Sequence, residues 1–412
     1  LKVTKTITQK LILKKSFMSI PLFKVFMAPN AAQQVGEVLN SGFIGQGPKV
    51  NELELKLKSF LGLENSSEAI TYNSATSAEH LAYHLLKKPS TMSVGLHGVA
   101  VATYNWPGLQ DGDEVLTTAL TCTATNWPIL ANGLKIKWVD IDPATMNICL
   151  KDLENKLTEK TKVVTVVHWG GYPVDLVELR AIQARYKERF GFPFAIIDDA
   201  AHALGSKLDG NYIGSFETIT TFSLQAIKHI TSVDGGFWTS PFIELNKRAK
   251  LTRWYGIDRE GPRTDFRCES DIPEWGFKFH MNDICATVGL SNLEYAQHIL
   301  SKHKANGTFY NKELQGIDGV TLLENDPRKE SAYWLYTMRV ENREAFMRYM
   351  SENGVITSRV HERNDKHTCT KEFLTSLPNV DLVTKDMICI PVGWWVTEEN
   401  RQYIADLIKK GW

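Results

Sequence analysis

The chain has 412 residues, enough to bury a large core and to divide into two domains. A hydrophobic share of 43% and a charged share of 23% are those of an ordinary globular protein, and no apolar run is long enough to span a bilayer. Basic and acidic residues balance at 47 each, which excludes a general electrostatic grip on nucleic acid.

In chain order, the first segment, LKVTKTITQKLILKKSF, is rich in lysine, lacks acidic residues and begins at Leu1. Residues 1–17 are expected to be a disordered extension or translated leader, a targeting or membrane-surface segment being the alternative, with Met18 as the natural start. A glycine-rich turn, GFIGQGP, then precedes the amphipathic pattern PKVNELELKL. From about Glu68 to Ser240, short β-rich runs alternate with helical patterns: EAITYNS, DEVLTTAL, IKWVDID, KVVTVVHW, FAIIDD, TITTFSL and GFWTS. Several are apolar throughout, as expected of strands covered on both faces. Between them, Leu176, Leu179, Ile182 and Tyr186 recur at helical spacing.

Alternating strands and helices predict an α/β domain around a mostly parallel sheet, over residues 18–260. After about Gly261 a charged loop, DREGPRTDFRCESDIPEWG, leads into a long helical stretch from Asn282 to about Leu314. Residues 261–412 are expected to form a smaller C-terminal α+β domain. The segment KKPSTMSVGLHGVAVATYNWPGLQ is an insertion before DGDEV. Six cysteines without a CxxC pair or zinc-like spacing predict reduced thiols, a cytoplasmic protein and no metal site. The N-x-S/T triplets at Asn65 and Asn306 carry little meaning without a secretion signal.

Ligands of parallel sheets bind at the carboxyl ends of the strands, so polar residues there are the candidates for chemistry. In TYNSATSAEHLAYHLL, a strand ends at Asn73 and a Ser-Ala-Thr-Ser turn enters a helix. Its free N–H groups and hydroxyls suit a phosphate, although plain capping by Ser74 or Thr76 explains them equally. In FAIIDDAAHALGS, Asp198 and Asp199 follow an apolar run, so at least one carboxylate is enclosed. Such a group needs a metal or a cationic partner such as a ring nitrogen, and no third ligand stands at helpful spacing. In TITTFSLQAIKHITSVDGG, a strand runs into a turn holding Ser223, Gln225 and Lys228. An enclosed lysine loses proton affinity and becomes usable as a Schiff-base amine. A snorkelling surface lysine is the plainer reading of Lys228 alone.

Together these features match pyridoxal 5'-phosphate (PLP). That cofactor requires a lysine for covalent attachment, a carboxylate for its pyridinium nitrogen and a helix N-terminus for its phosphate. The chain also resembles the DegT/StrS-type nucleotide-sugar aminotransferases of PLP fold type I, from about Ile20 to the C-terminus. The resemblance rests on FIGQGPKV, NSATSA, GDEVLTTALTCTATNWPIL, VDIDPATMNI, IIDDAAHALGS, FSLQAIKHITSVDGG and GFKFHMNDICATVGL.

The resemblance implies that Lys228 carries the cofactor and moves protons, Asp199 pairs with the ring nitrogen and His202 lies near the phenolic oxygen. It implies that Ala75, Thr76 and Ser223 hold the phosphate, that Gln225 is a further cofactor-binding residue, and that GFKFHMND, with Lys278, reaches the phosphate of a second copy in a homodimer whose active sites lie at the interface. It further implies L-glutamate as amino donor and a nucleotide-linked ketosugar as acceptor, within amino-sugar or surface-glycan synthesis.

Four positions depart from the family. Ala75 replaces a customary glycine; Cys122 stands where an aromatic stacks on the ring, with Trp127 or Trp169 as candidate substitutes; Lys278 and His280 stand where Asn and Arg are frequent. His361 and His367 fall where the C-terminal domain approaches substrate, His361 being the candidate contact. Two alternatives remain: a sugar 3-dehydratase of the same fold, in which histidine replaces the lysine, and a non-catalytic binding or regulatory protein that has lost the lysine or aspartate.

Overall fold

A computed structural model describes residues 19–63, 67–96, 99–259, 261 and 271–412, with the side chains of 93–96 and 99–102 left aside. The expectations for residues 1–17, Met18, Asn65 and Cys268 lie outside these residues. Helices α1 (Ala31–Ser41) and α2 (Pro48–Phe60) lead to β1 (Glu68–Tyr72) and α3 (Ala75–Leu86). A hairpin, β2 (Ser90–Leu96) and β3 (Val99–Trp106), precedes β4 (Glu114–Thr118), α4 (Thr123–Ala131), β5 (Lys135–Val139), α5 (Leu150–Lys156) and β6 (Thr161–Val167). Next come α6 (Leu176–Phe190), β7 (Ala195–Asp199), the short β8 (Lys207–Leu208) and β9 (Asn211–Tyr212), β10 (Ile219–Ser223), β11 (Gly236–Ser240) and α7 (Ile243–Thr252). The remainder holds α8 (Asp283–Leu293), α9 (Ala296–Glu313), β12 (Val320–Leu322), β13 (Lys329–Glu330), β14 (Tyr336–Val340), α10 (Arg343–Glu352), α11 (Pro378–Asp386), β15 (Met387–Ile390) and α12 (Glu398–Lys410).

The seven β-rich runs from Glu68 to Ser240 become the main sheet, in the order β1-β11-β10-β7-β6-β4-β5. Only β11 runs against the others. Successive residues feed opposite faces: Val115 and Ile197 pack on one side with α3, Leu116 and Ile196 on the other with α2 and α6. Both faces are therefore dry, which is why the runs are apolar without alternation. Pairing sets Thr221 level with Asp199, Val167 level with Asp199, Ser223 level with Gly236, and Gly236 level with Tyr72. The polar strand ends thus lie along one edge of the sheet.

The C-terminal part adds the antiparallel sheet β12-β14-β15 and a third core, with Tyr310, Met338, Phe346 and Ile388. Packing does not divide at residue 260. Ala286 and Leu290 of α8, with Ala296 and Ile299 of α9, join the main sheet's second face, whereas Tyr310 and Leu314 join the third core. The change of texture at Gly261 marks a charged loop, not the change of core. The expected single helical stretch is two helices, with Glu294 and Tyr295 between them. Ile20 pairs with Val355, so the beginning of the described chain packs on the C-terminal core.

The insertion at 87–110 is the β2–β3 hairpin, anchored where Trp106 Nε1 donates to Leu86 O at 2.6 Å. The Asn306 side chain is buried and donates to the carbonyls of Val392, Gly393 and Val396, which leaves it no surface role. No helix among the described residues is long and apolar enough to cross a membrane.

Candidate active site

Lys228 follows β10 in a turn closed by Leu224 N–H to Gly235 O and Lys228 N–H to Gln225 O, each 2.9 Å. Its side chain is half-buried, and its ammonium lies among Trp334, Asp199 and Cys122. Desolvation lowers its pKa from 10.5 to about 8, against an opposing pull from Asp199. Its Nζ lies 3.7 Å from the centre of the Trp334 ring. Asp199, at the end of β7, is buried and accepts from Thr125 Oγ1 at 2.6 Å and from Ala201 N–H at 2.9 Å. Burial raises its pKa, while those two donors and Lys228 pull it back down. The neighbouring Asp198 points elsewhere, pairing with His168 Nε2 at 2.6 Å. Both aspartates are buried, and Asp199 is the one whose charge acts on Lys228.

His202 stacks on Trp334, with ring centres 3.9 Å apart and planes at 21°. His361 lies parallel to His202 at 5.6 Å. Burial pushes both imidazoles down, His361 to about 4, so both are neutral near pH 7. His202 Nδ1 and His361 Nε2 are buried without a protein partner, two unsatisfied groups on neighbouring parallel rings.

At the far side, Ser74 caps α3 by accepting from Ser77 N–H at 3.1 Å. Capping and a phosphate site are compatible here, because the N–H groups of Ala75 and Thr76 in the first turn have no acceptor within the helix. Ala75 does not take a left-handed conformation, so a glycine is not required there. Gly236 is required: a Cβ on it would collide with the Ala75 backbone, and its absence lets β11 press against the turn. Ser223, level with Gly236, accepts from Gln225 N–H at 3.3 Å, and the Gln225 side chain accepts from Ile227 N–H at 3.0 Å.

Three further sequence candidates have the following surroundings. Cys122 caps α4 without a side-chain hydrogen bond, and its thiol faces Lys228 and Glu79. Trp127 packs edge-on against His367 at 5.7 Å, not against the rings around Lys228. Lys278 meets the residue before the Ser74–Thr76 turn through its backbone, whose carbonyl accepts from Asn73 Nδ2 at 3.2 Å. Its ammonium is drawn 4.1 Å from the Trp254 ring, which also stacks on His280 at 3.5 Å. Trp169 contacts His202 and His361 edge-on at 6.3 and 5.9 Å.

Sequence reasoning missed Trp334, the aromatic that meets both Lys228 and His202. A strap, residues 331–335, carries it in from the C-terminal part. His229 Nε2 donates to Ala332 O at 3.0 Å, His303 Nδ1 to Tyr333 O at 2.8 Å, and Trp334 Nε1 to Ile227 O at 2.9 Å. Gly171 lets the strap close, since a Cβ there would stand 2.8 Å from His202 O and 3.2 Å from Tyr333 N. His361 arrives on a second anchor: Asn126 Nδ2 donates to Asn364 Oδ1 at 2.8 Å and Asn364 Nδ2 to Thr121 O at 2.9 Å. The aromatic run SAYWLY was the only signal, and nothing in it names its partner. Among the described residues no cluster of three His, Cys, Asp or Glu could hold a metal.

The family model described as DegT/DnrJ/EryC1/StrS aminotransferase matches residues 27–409. The sugar aminotransferase CalS13 from Micromonospora echinospora is 41% identical, with a TM-score of 0.87, over 95% of this chain and all of that one. The UDP-4-amino-4-deoxy-L-arabinose–oxoglutarate aminotransferase of Shewanella sediminis is 30% identical over 78% of this chain and 76% of its own length. A Streptococcus pneumoniae protein solved in its PLP form is 25% identical, with a TM-score of 0.80, over 95% of this chain and 98% of that one. The chain belongs to the DegT/DnrJ/EryC1/StrS aminotransferase family. It is an enzyme of PLP fold type I, a sugar aminotransferase whose cofactor is PLP.

Proposed function

We propose that this aminotransferase moves the amino group of L-glutamate to a keto-deoxysugar carried on a nucleotide, for amino-sugar and surface-glycan synthesis in the cytoplasm. The observation that supports it most is a lysine of lowered proton affinity beside a buried carboxylate, following a strand whose end is level with Gly236 against a helix N-terminus. The orphaned nitrogens of His202 and His361 next to that lysine fit a polar ligand. When bound, PLP supplies an aldehyde that exchanges amino groups and a ring that spreads the electrons left by proton removal.

Lys228 attaches the cofactor and, once displaced by the donor, carries a proton away from and back to carbon in each half of the transfer. A pKa of about 8 lets it hold or yield that proton near neutral pH. Asp199 holds the ring nitrogen's proton, and neutral His202 donates or accepts at the phenolic oxygen. The first-turn N–H groups of Ala75 and Thr76, with Ser223 and Gln225, bind the phosphate, helped by the helix dipole. Lys278 of the partner subunit adds a positive charge there. His361 and Trp334 meet the sugar side of the site and exclude water from Lys228.

The homodimer is supported by surface as well as resemblance. Phe43 is 81% exposed and Ile44 49%, beside an open groove of about 1460 Å³ between α1, α2 and α8. That groove does not include Lys228 in its lining.

The test is a panel of 3-keto and 4-keto nucleotide sugars incubated with enzyme, PLP and L-glutamate, reading 2-oxoglutarate. One ketosugar should drive 2-oxoglutarate formation in step with amino-sugar product. Bleaching of the cofactor's visible band by glutamate with no turnover on any nucleotide-linked sugar would overturn the acceptor.

A further inference from the structure

One ionisable side chain beside this site has no part in the chemistry above. Glu79 stands one turn into α3 and is 1% exposed. Its Oε1 accepts from Thr221 Oγ1 of β10 at 3.1 Å. Its Oε2 is buried and has no partner. Asp199 of β7 lies against it; Cys122, ahead of α4, and Tyr83 on α3 are the other titratable groups facing it, with Lys228 beyond Asp199.

Two carboxylates this close in a dry site cannot both ionise. Burial, with the Asp199 charge added, holds the Glu79 carboxyl well above the usual carboxylate range. The surroundings decide which of the two keeps the proton. Asp199 has an amide donor, a hydroxyl donor and a lysine to stabilise its charge, whereas Glu79 has Thr221 alone. Once protonated, the Glu79 acid becomes a donor with a carboxylate beside it. An ionised carboxylate has about four lone-pair sites. Ala201 N–H and Thr125 Oγ1 fill two on Asp199, leaving one for a ring N–H and one for Glu79.

We propose that Glu79 is a positioning residue: as the neutral acid it donates its proton to Asp199 and so keeps Asp199 ionised and aimed at the cofactor's ring nitrogen. This rests on the reading of Asp199 given above. Without the Glu79 donor, Asp199 loses one of the contacts that stabilise its charge, so its carboxyl holds a proton more tightly and pairs less well with a cationic ring nitrogen.

Isotope-edited infrared spectroscopy of the full chain before cofactor is added reads the first half. A protonated-acid carbonyl band should be present at neutral pH in the wild type and absent from Glu79→Gln; its absence from the wild type overturns the proposal. Equilibrium PLP binding reads the second half. Glu79→Gln, whose amide restores a donor, should bind within about twofold of wild type, and Glu79→Leu about tenfold more weakly, the equivalent of one pKa unit at Asp199. If Glu79→Leu does not fold, Glu79→Met reads the same loss. Equal binding by the apolar and amide variants overturns the proposal. Asp199→Asn separates the two failures: if it leaves PLP affinity unchanged, the role of Asp199 is wrong and that of Glu79 falls with it. If it weakens binding while Glu79→Leu does not, only Glu79 is wrong.

Discussion

Residues adjacent in sequence have unrelated tasks at this site. Lys228 lies over the Trp334 ring, while His229, next in the chain, turns away to hold the Ala332 carbonyl. Asp199 acts on Lys228 and Asp198 bonds to His168. The lysine was legible only together with the Ser74–Thr76 turn and Asp199, since alone it reads more plainly as a snorkelling surface lysine. Glu79 was not, because AEHLAYHLL reads as a polar residue on an ordinary amphipathic helix until β7 and β10 are laid over it. The proton affinity of Lys228 gives a kinetic expectation. Only the neutral amine attacks the cofactor's aldehyde, so attachment by the cofactor-free enzyme should quicken about tenfold per pH unit below pH 8 and level off above it. Stopped-flow absorbance checks this; a rate still rising toward pH 10.5 would mean the amine is not desolvated.

At the scale of elements, all seven strands of the main sheet were readable as apolar runs bounded by polar turns. Their order was not, since the insertion of β11 between β1 and β10 depends on pairing between distant segments. The β2–β3 hairpin was visible only as extra length, because KKPSTMSVGLHGVAVATYNWPGLQ carries no tight-turn dipeptide of the Asn-Gly kind. The strap at 331–335 was equally hidden. It gains its shape from His229 and His303, which lie over 100 and 30 residues away in sequence, respectively 103 and 30. His229→Leu leaves the Ala332 carbonyl buried and unpaired, which should cost about 1–3 kcal/mol of stability and loosen Trp334 from Lys228. Thermal unfolding of the cofactor-free variant measures the first effect and quenching of Trp334 fluorescence by added PLP the second. An unchanged melting temperature would remove His229 from the strap's support.

For the whole molecule, the surroundings of Lys228 are drawn from two distant parts of the chain. The main sheet supplies Asp199, Ser223 and Lys228 at its carboxyl edge, and the C-terminal part supplies Trp334 and His361 on anchored segments. Sequence pattern identifies the first set because strand ends announce themselves. The second set is brought by tertiary contacts and stays invisible until the chain is folded. Family membership fixes the cofactor and the type of reaction, and the residue roles rest on this geometry. They converge on one amine. Wild-type enzyme and Lys228→Ala, each loaded with PLP, reduced with borohydride and digested, should differ at one place: the wild-type peptide containing Lys228 carries the cofactor's mass, and the variant carries it nowhere. Reduced cofactor on another lysine of the wild type, or a reducible bond surviving in Lys228→Ala, would contradict the account.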